Sequence, residues 1–187
     1  VTNRLGVDAA AAVGVASKYD VFAMLPATSI ASALAAITAQ NYGAGKPERA
    51  KVSVAAGVGF AFAASACFWL WAQISPESMI GVFTKDPDII QAGIPFFTSC
   101  SYDYLAVSFV FGLNGYLNGR SKTIFTMISV CFGALALRMP LIWLAFTHCP
   151  DNLLVIGSIA PAVSGTMAVY TLLYVIGLMR KEKTPAA

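Results

Sequence analysis

A bundle of transmembrane α-helices is the fold class that the sequence predicts. Of the 187 residues, 58% are hydrophobic and only 11% are charged, and the mean hydropathy is +0.71. A soluble domain carries about 25% charged residues, so this chain has too few polar side chains to cover a water-facing surface. Five apolar runs are each long enough to cross the hydrocarbon core, which takes about 20 helical residues. We therefore expect an all-α, polytopic membrane protein with about five spans.

The five runs follow one another with short polar or proline-containing segments between them. The first run is the longest, and its length of about 46 Å exceeds the hydrocarbon thickness of about 30 Å, so it should tilt or project. Prolines inside four of the runs predict kinks. The runs cover residues 9–39, 52–74, 89–117, 124–146 and 153–179, and the prolines inside them are Pro26, Pro95, Pro140 and Pro161.

Two short motifs between the second and third runs predict helix starts. The sequences SPE at 75–77 and DPD at 86–88 each offer a capping side chain, a proline at the first helical position and an early acid. The apolar segment 77–83 is too short to span a bilayer. We expect it to form a helix at the membrane interface.

Basic residues are concentrated on alternate connections. Eight of the twelve lysines and arginines follow the first run, follow the third run or lie in the tail: Lys46, Arg49, Lys51, Arg120, Lys122, Arg180, Lys181 and Lys183. The opposite side carries Arg4 and Lys85 with the acids Asp8, Glu77, Asp86, Asp88 and Asp151. The positive-inside rule places the basic set, and with it the carboxy terminus, in the cytoplasm of a cell membrane. The small net charge of +3 gives no reason to expect a nucleic-acid partner.

Cysteine, histidine and serine residues do not occur here in the spacings of known metal sites or catalytic motifs. Cys67, Cys100, Cys131 and Cys149 show no CxxC spacing and are expected to be free, buried thiols, and His148 has no metal-ligating neighbours. No P-loop, HExxH motif or serine–histidine–aspartate order is present. We therefore expect no enzyme, no ATP-driven pump, and neither a metal nor an organic cofactor.

Four charged residues lie inside the apolar runs: Lys18, Asp20, Asp103 and Arg138. Asp103 is the only charge among the 31 residues between Asp88 and Arg120. A carboxylate in hydrocarbon costs about 2.5 to 3.5 kcal/mol even on lenient scales, and by default it marks an ion or substrate pathway.

Counting helical rise from the basic ends puts Asp103 and Arg138 at similar depth, roughly 4 to 6 Å on the outer side of the midplane. Two interpretations follow. The two residues could form an ion pair that serves packing only. Alternatively, a carboxylate that is only partly compensated could bind Na⁺ or H⁺ alternately.

Other polar and aromatic residues complete a candidate cavity. Lys18 and Asp20 point to different sides of a helix; Lys18 can extend to the interface, whereas Asp20 could attract a cationic substrate into a cavity. Tyr102 and Tyr104 could stack on flat organic cations, and Asn114 could supply a polar contact. Aromatic residues at this density also serve packing or face lipid.

Four segments resemble one family. The sequence QNYGAGKPERA at 40–50 resembles the Q-N-x-G-A-G-x-x-x-R-A signature after the eighth helix of MATE (multidrug and toxic compound extrusion) transporters. VFTKD at 82–86, NGYLNG at 114–119 and LRMPL at 137–141 match further segments in the same order. The chain departs from the pattern at Arg120 and Ser121, where many relatives carry a small residue and glycine.

The resemblance implies that residues 1–187 are part of a carboxy-terminal lobe, similar to helices eight to twelve and half of a two-lobed transporter. An amino-terminal lobe and a seventh helix of the same transporter would then lie outside this chain. The implied function is Na⁺- or H⁺-coupled antiport that exports organic cations or drugs across the cytoplasmic membrane. In Na⁺-driven relatives the tenth helix carries an aspartate twelve residues before a glycine, and Asp103 stands in that relation to Gly115.

Two other functions remain open at this stage. A flippase for lipid-linked precursors has related architecture, but it should show a more basic cavity than Lys18 and Arg138 provide. A membrane scaffold that does not transport is an alternative from another class. Upstream sequence with seven more apolar runs would favour the transporter.

Overall fold

The computed structural model describes residues 7–149 and 152–183, with side chains over 10–149 and 152–181, and all regular structure in these ranges is helical. The predicted orientation also depends on charged residues whose side chains lie outside the described ranges: Arg4, Asp8, Asp151 and Lys183. The helices are α1 (Val7–Gly43), α2 (Pro47–Ile74), α3 (Pro76–Gly81), α4 (Pro87–Cys100), α5 (Tyr102–Gly119), α6 (Thr123–Cys131), a π-helix (Phe132–Arg138), α7 (Met139–His148) and α8 (Leu153–Lys183).

Five helical segments of the described chain are long and apolar enough to cross a membrane, which confirms the predicted fold class. At most of their ends these segments extend beyond the predicted apolar runs, because the helix continues into the neighbouring polar residues. Their bounds are Ala10–Gly43, Pro47–Ile74, Pro87–Gly119, Thr123–His148 and Leu153–Lys181. The short α3 lies where the interfacial helix is predicted.

The two predicted helix starts differ in their capping. Asp86 accepts a hydrogen bond from the Asp88 N–H at 3.0 Å, so the capping prediction is confirmed there. Ser75 stands at the N-cap position of α3, but its side chain makes no capping bond. Instead the Ser78 hydroxyl donates to the Ser75 carbonyl at 2.9 Å.

The helical spans are interrupted close to two prolines but not at them. Pro26 and Pro161 lie inside continuous helices, and the third span breaks at Ser101, six residues beyond Pro95. In the fourth span the π-helix ends two residues before Pro140. Proline cannot bond to the carbonyl four residues earlier and clashes with it, and a π-helical segment has the wider turn that relieves this conflict.

Helices α1 and α5 run side by side in the same direction and form the most extensive contact of the bundle. Gly115 packs directly on the α1 backbone, since a Cβ there would lie 2.4 Å from the Ala31 carbonyl oxygen. A Cβ on Gly119 would likewise lie 2.5 Å from the Ala35 carbonyl oxygen. This is the close backbone approach that a GxxxG pair permits in membranes. The two glycines of the NGYLNG segment therefore have a structural role, the close packing of α5 on α1.

The turns at the basic end use left-handed backbone at two residues. Gly45 has φ of 68°, which glycine adopts readily, whereas Gly43 still belongs to α1. Ser121 has φ of 58°, which a residue with a side chain rarely adopts. Ser121 is one of the two positions where the chain departs from the MATE pattern, and a glycine in relatives suits this conformation.

Aromatic residues join the helices at both ends of the bundle. At the basic end the Tyr42 and Tyr116 hydroxyls lie 2.9 Å apart, and the Arg120 guanidinium is 4.8 Å from the centre of the Tyr42 ring. At the opposite end the buried Tyr19 donates a hydrogen bond to the Met79 carbonyl and so joins α3 to α1. These contacts connect α1 to its neighbours near both of its ends.

Candidate ion and substrate site

Asp103 lies in the first turn of α5, directly after the break at Ser101. Its side chain is 5% exposed, and its Oδ1 atom has no hydrogen-bond partner. The polar groups that act on it are the Ser164 hydroxyl on α8 and the Arg138 guanidinium. Burying an oxygen without a partner is unfavourable by about 1 to 3 kcal/mol, more for a charged group. Asp103 is thus a poorly satisfied acid inside the bundle.

A second carboxylate is directed to the same place from α1. Asp20 is half-buried, and its carboxyl interacts with the Tyr104 hydroxyl. The parallel packing of α1 and α5 brings Asp20 to the level of Asp103 and Tyr104.

A cleft of about 270 Å³ opens between α1, α4, α7 and α8. Its polar lining comes from Ser17, Asp20, Cys100 and Arg138. The rest of the wall is apolar and includes Phe96, Phe146 and Ile156. A small polar cluster with apolar walls suits a cation that has lost part of its water.

Arg138 is the last residue of the π-helix, and its side chain is exposed along this cleft. Among the described side chains it forms neither a hydrogen bond nor an ion pair, so the direct Asp103–Arg138 pair is not formed. It lines the same cleft as Asp20 without forming an ion pair to it.

The remaining candidate residues lie away from this cleft. The Lys18 ammonium lies 5.1 Å from the centre of the Phe83 ring, on a different side of α1 from Asp20. The exposed Tyr102 ring packs on Trp69 at 5.8 Å between ring centres. The buried Asn114 lines a second cleft of about 520 Å³ between α1, α5 and α6, and its Oδ1 has no partner.

Three residues near the cleft and Asp103 were not predicted as site residues from the sequence. Ser17 lies three residues before Asp20 on α1, so helical spacing from this acid could have indicated it, whereas the helix break at Ser101 separates Cys100 from Asp103. Ser164 is on α8, and nothing in the sequence indicates which face of that helix meets Asp103.

The cysteines are free thiols, as predicted, but the prediction that they are buried holds only for Cys100. Cys67, Cys131 and Cys149 are exposed on the described surface, because membrane proteins direct apolar residues outward as well as inward. No group of three or more potential metal ligands occurs among the described residues.

A comparison with known protein families shows which family this helical bundle belongs to. The MatE family model matches residues 1–144, which include α1 to most of α7 and the charged residues Asp20, Asp103 and Arg138. The chain belongs to the MATE family. No curated protein matches it. Members of this family are transporters of the multidrug efflux type, so the five spans are those of a multi-pass membrane transport protein.

Proposed function

We propose that this MATE-family chain takes part in cation-coupled antiport that exports organic cations, with Asp103 as the residue that binds the coupling Na⁺ or H⁺. The observation that supports the proposal is the buried, unpartnered Asp103 Oδ1 atom inside a membrane span. The free energy of such a carboxylate falls strongly when a cation binds and neutralises it, and rises again when the cation leaves. That difference lets ion binding bias one conformation of a transporter over another.

The cleft supplies the remaining parts of the proposed cycle. Asp20 and the apolar wall around Phe96 offer charge and apolar contact to an organic cation. Residues 1–187 act as part of a carboxy-terminal lobe, and an amino-terminal lobe of the same transporter provides the opposite wall. The basic end faces the cytoplasm of the cell membrane, with the carboxy terminus on that side.

The test is efflux of a fluorescent organic cation, such as ethidium, from cells or everted vesicles that contain the full-length protein. The Asp103→Asn variant keeps the size of the side chain but lacks its charge, so we expect at least a tenfold loss of ion-driven efflux with normal membrane insertion. Separate Na⁺ and pH gradients identify the coupling ion.

The matched control is Asp88→Asn, which removes an exposed acid at the outer end of the same span and should leave efflux unchanged. Normal ion-driven efflux by Asp103→Asn would refute the coupling role. Equal loss in both variants would show that the effect is not specific to the buried carboxylate.

A further inference from the structure

The break between α4 and α5 is held by a side chain from another helix. Gln73, near the end of α2, donates from its Nε2 atom to the Thr98 carbonyl at 2.8 Å and to the Ser101 hydroxyl at 2.9 Å. These two bonds use both hydrogens of the amide nitrogen. The Ser101 hydroxyl in turn donates to the Thr98 carbonyl at 3.0 Å. We call these three hydrogen bonds among Gln73, Thr98 and Ser101 the break clamp.

Ser101 does not bond as a serine at a helix start usually does. It occupies the N-cap position of α5 and is 1% exposed, but its side chain makes no capping bond. A serine at this position typically accepts a hydrogen bond from an N–H group of the first helical turn. Here the hydroxyl oxygen accepts from Gln73 instead. The break clamp therefore takes the place of a cap and ties the start of α5 to α2.

The break clamp lies next to Asp103 in the chain. Asp103 is the second residue of α5 and follows Ser101 by two positions, so its location depends on how α5 leaves the break. Ser101 has φ of −59° and ψ of −24°, which are helical values, so its backbone conformation alone does not fix the direction of α5. Hydrogen bonds from glutamine side chains are one means by which membrane helices are fixed against one another. Gln73 supplies two of them at this point.

We infer that Gln73 is a positioning residue for ion binding, because the break clamp sets where the Asp103 carboxylate lies. The inference rests on the proposed role of Asp103, and it adds a residue from α2, which contributes no described side chain to the cleft. Gln73 acts through Asp103 and does not touch the ion. A binding group has to be held within about 0.5 Å of its productive position, so loss of the break clamp should weaken ion binding.

The experiment measures ethidium efflux by the full-length protein as a function of Na⁺ concentration at fixed pH and, in Na⁺-free buffer, as a function of pH. Gln73→Met keeps the approximate size of the side chain and removes both donors. We expect the half-saturating concentration of the ion that drives efflux in the unmodified protein to rise at least about fivefold, with the maximal rate within about twofold. A purely structural role would lower the maximal rate and leave the half-saturating concentration unchanged.

Ser101→Ala removes the hydroxyl of the break clamp and leaves the bond from Gln73 to the Thr98 carbonyl. It should raise the half-saturating concentration by about twofold or more. The double variant Gln73→Met/Ser101→Ala should resemble Gln73→Met alone, because both changes disrupt the same set of hydrogen bonds. Should Gln73→Met fail to fold, Ser101→Ala decides, and an unchanged half-saturating concentration overturns the inference.

The matched control is Ser78→Ala. It removes a hydrogen bond of 2.9 Å that Trp71, also on α2, donates to α3 rather than to the break. This change should leave the half-saturating concentration as it is in the unmodified protein. Equal values for Gln73→Met and Ser78→Ala overturn the inference, as does a loss of maximal rate alone in Gln73→Met.

Asp103→Asn in the same assay separates the two proposals. If it loses ion-driven efflux and Gln73→Met shows the expected shift, both proposals are supported. If it loses ion-driven efflux while Gln73→Met shows no shift, the proposed function stands and this inference is overturned. Normal ion-driven efflux by Asp103→Asn overturns the proposed function, and this inference with it.

Discussion

Asp20 and Asp103 are 83 positions apart in the chain, yet they lie at matching levels because α1 and α5 pack in parallel. Counting residues along a helix predicts a similar depth for Asp103 and Arg138. It could not predict that Asp20 joins them, because spacing shows which residues share a helix face but not which helix that face meets. The same limit explains why Ser164 was missed.

Tyr19 is a second residue whose importance comes from its contacts. Its hydroxyl donates to the Met79 carbonyl, and its ring packs edge-on against Trp71, Phe83 and Phe97. Tyr19→Phe should lower the free energy of unfolding by about 1 to 3 kcal/mol, because the buried carbonyl loses its donor while the ring packing stays.

Thermal unfolding of the detergent-solubilised protein measures this effect. Tyr102→Phe is a matched control, since the Tyr102 ring is exposed and its hydroxyl makes no hydrogen bond among the described residues. If the two variants unfold at the same temperature, the Tyr19–Met79 bond does not hold α3 to the bundle.

The helices themselves were largely predictable, and their interruptions were not. Hydropathy and length identified five spans, because the bilayer imposes both. The break at Ser101 and the π-helix before Pro140 depend on how each backbone fits its neighbours. Pro95 and Pro140 predicted kinks in the third and fourth spans, but not the position or the form of the interruptions. These interruptions matter, because the first lies two residues before Asp103 and the second ends at Arg138.

The packing of α5 on α1 gives a prediction at this scale. Gly115→Ala should destabilise the protein by about 1 to 3 kcal/mol, because the new methyl group would overlap the Ala31 backbone, which cannot move aside cheaply. The measurement is the same thermal unfolding, accompanied by efflux activity.

Gly165→Ala serves as the control for the intrinsic effect of alanine in a helix. Gly165 lies in α8 with open space where the methyl group would go, so this change should be neutral or slightly stabilising. Equal stability of the two variants would show that the α1–α5 contact is looser than the structure has it.

At the scale of the whole molecule, the bundle places its charges in an order that suits transport. Eight of the twelve basic residues lie in alternate connections and the tail, while Asp20, Asp103 and Arg138 lie within the membrane spans. The family model covers the residues that line the cleft up to Ile142, and Phe146 and the α8 part of the wall lie beyond the match. The proposed coupling therefore depends on one buried carboxylate, that of Asp103.

Direct measurement of ion binding at Asp103 tests this claim without relying on transport. Purified full-length protein is titrated with Na⁺ in lightly buffered solution, and bound ²²Na⁺ and released protons are recorded for the unmodified protein and for Asp103→Asn. We predict saturable binding of Na⁺, or a bound proton that is released on titration with base, in the unmodified protein, and loss of that one cation in Asp103→Asn. Unchanged cation binding in a correctly folded Asp103→Asn variant would contradict the account.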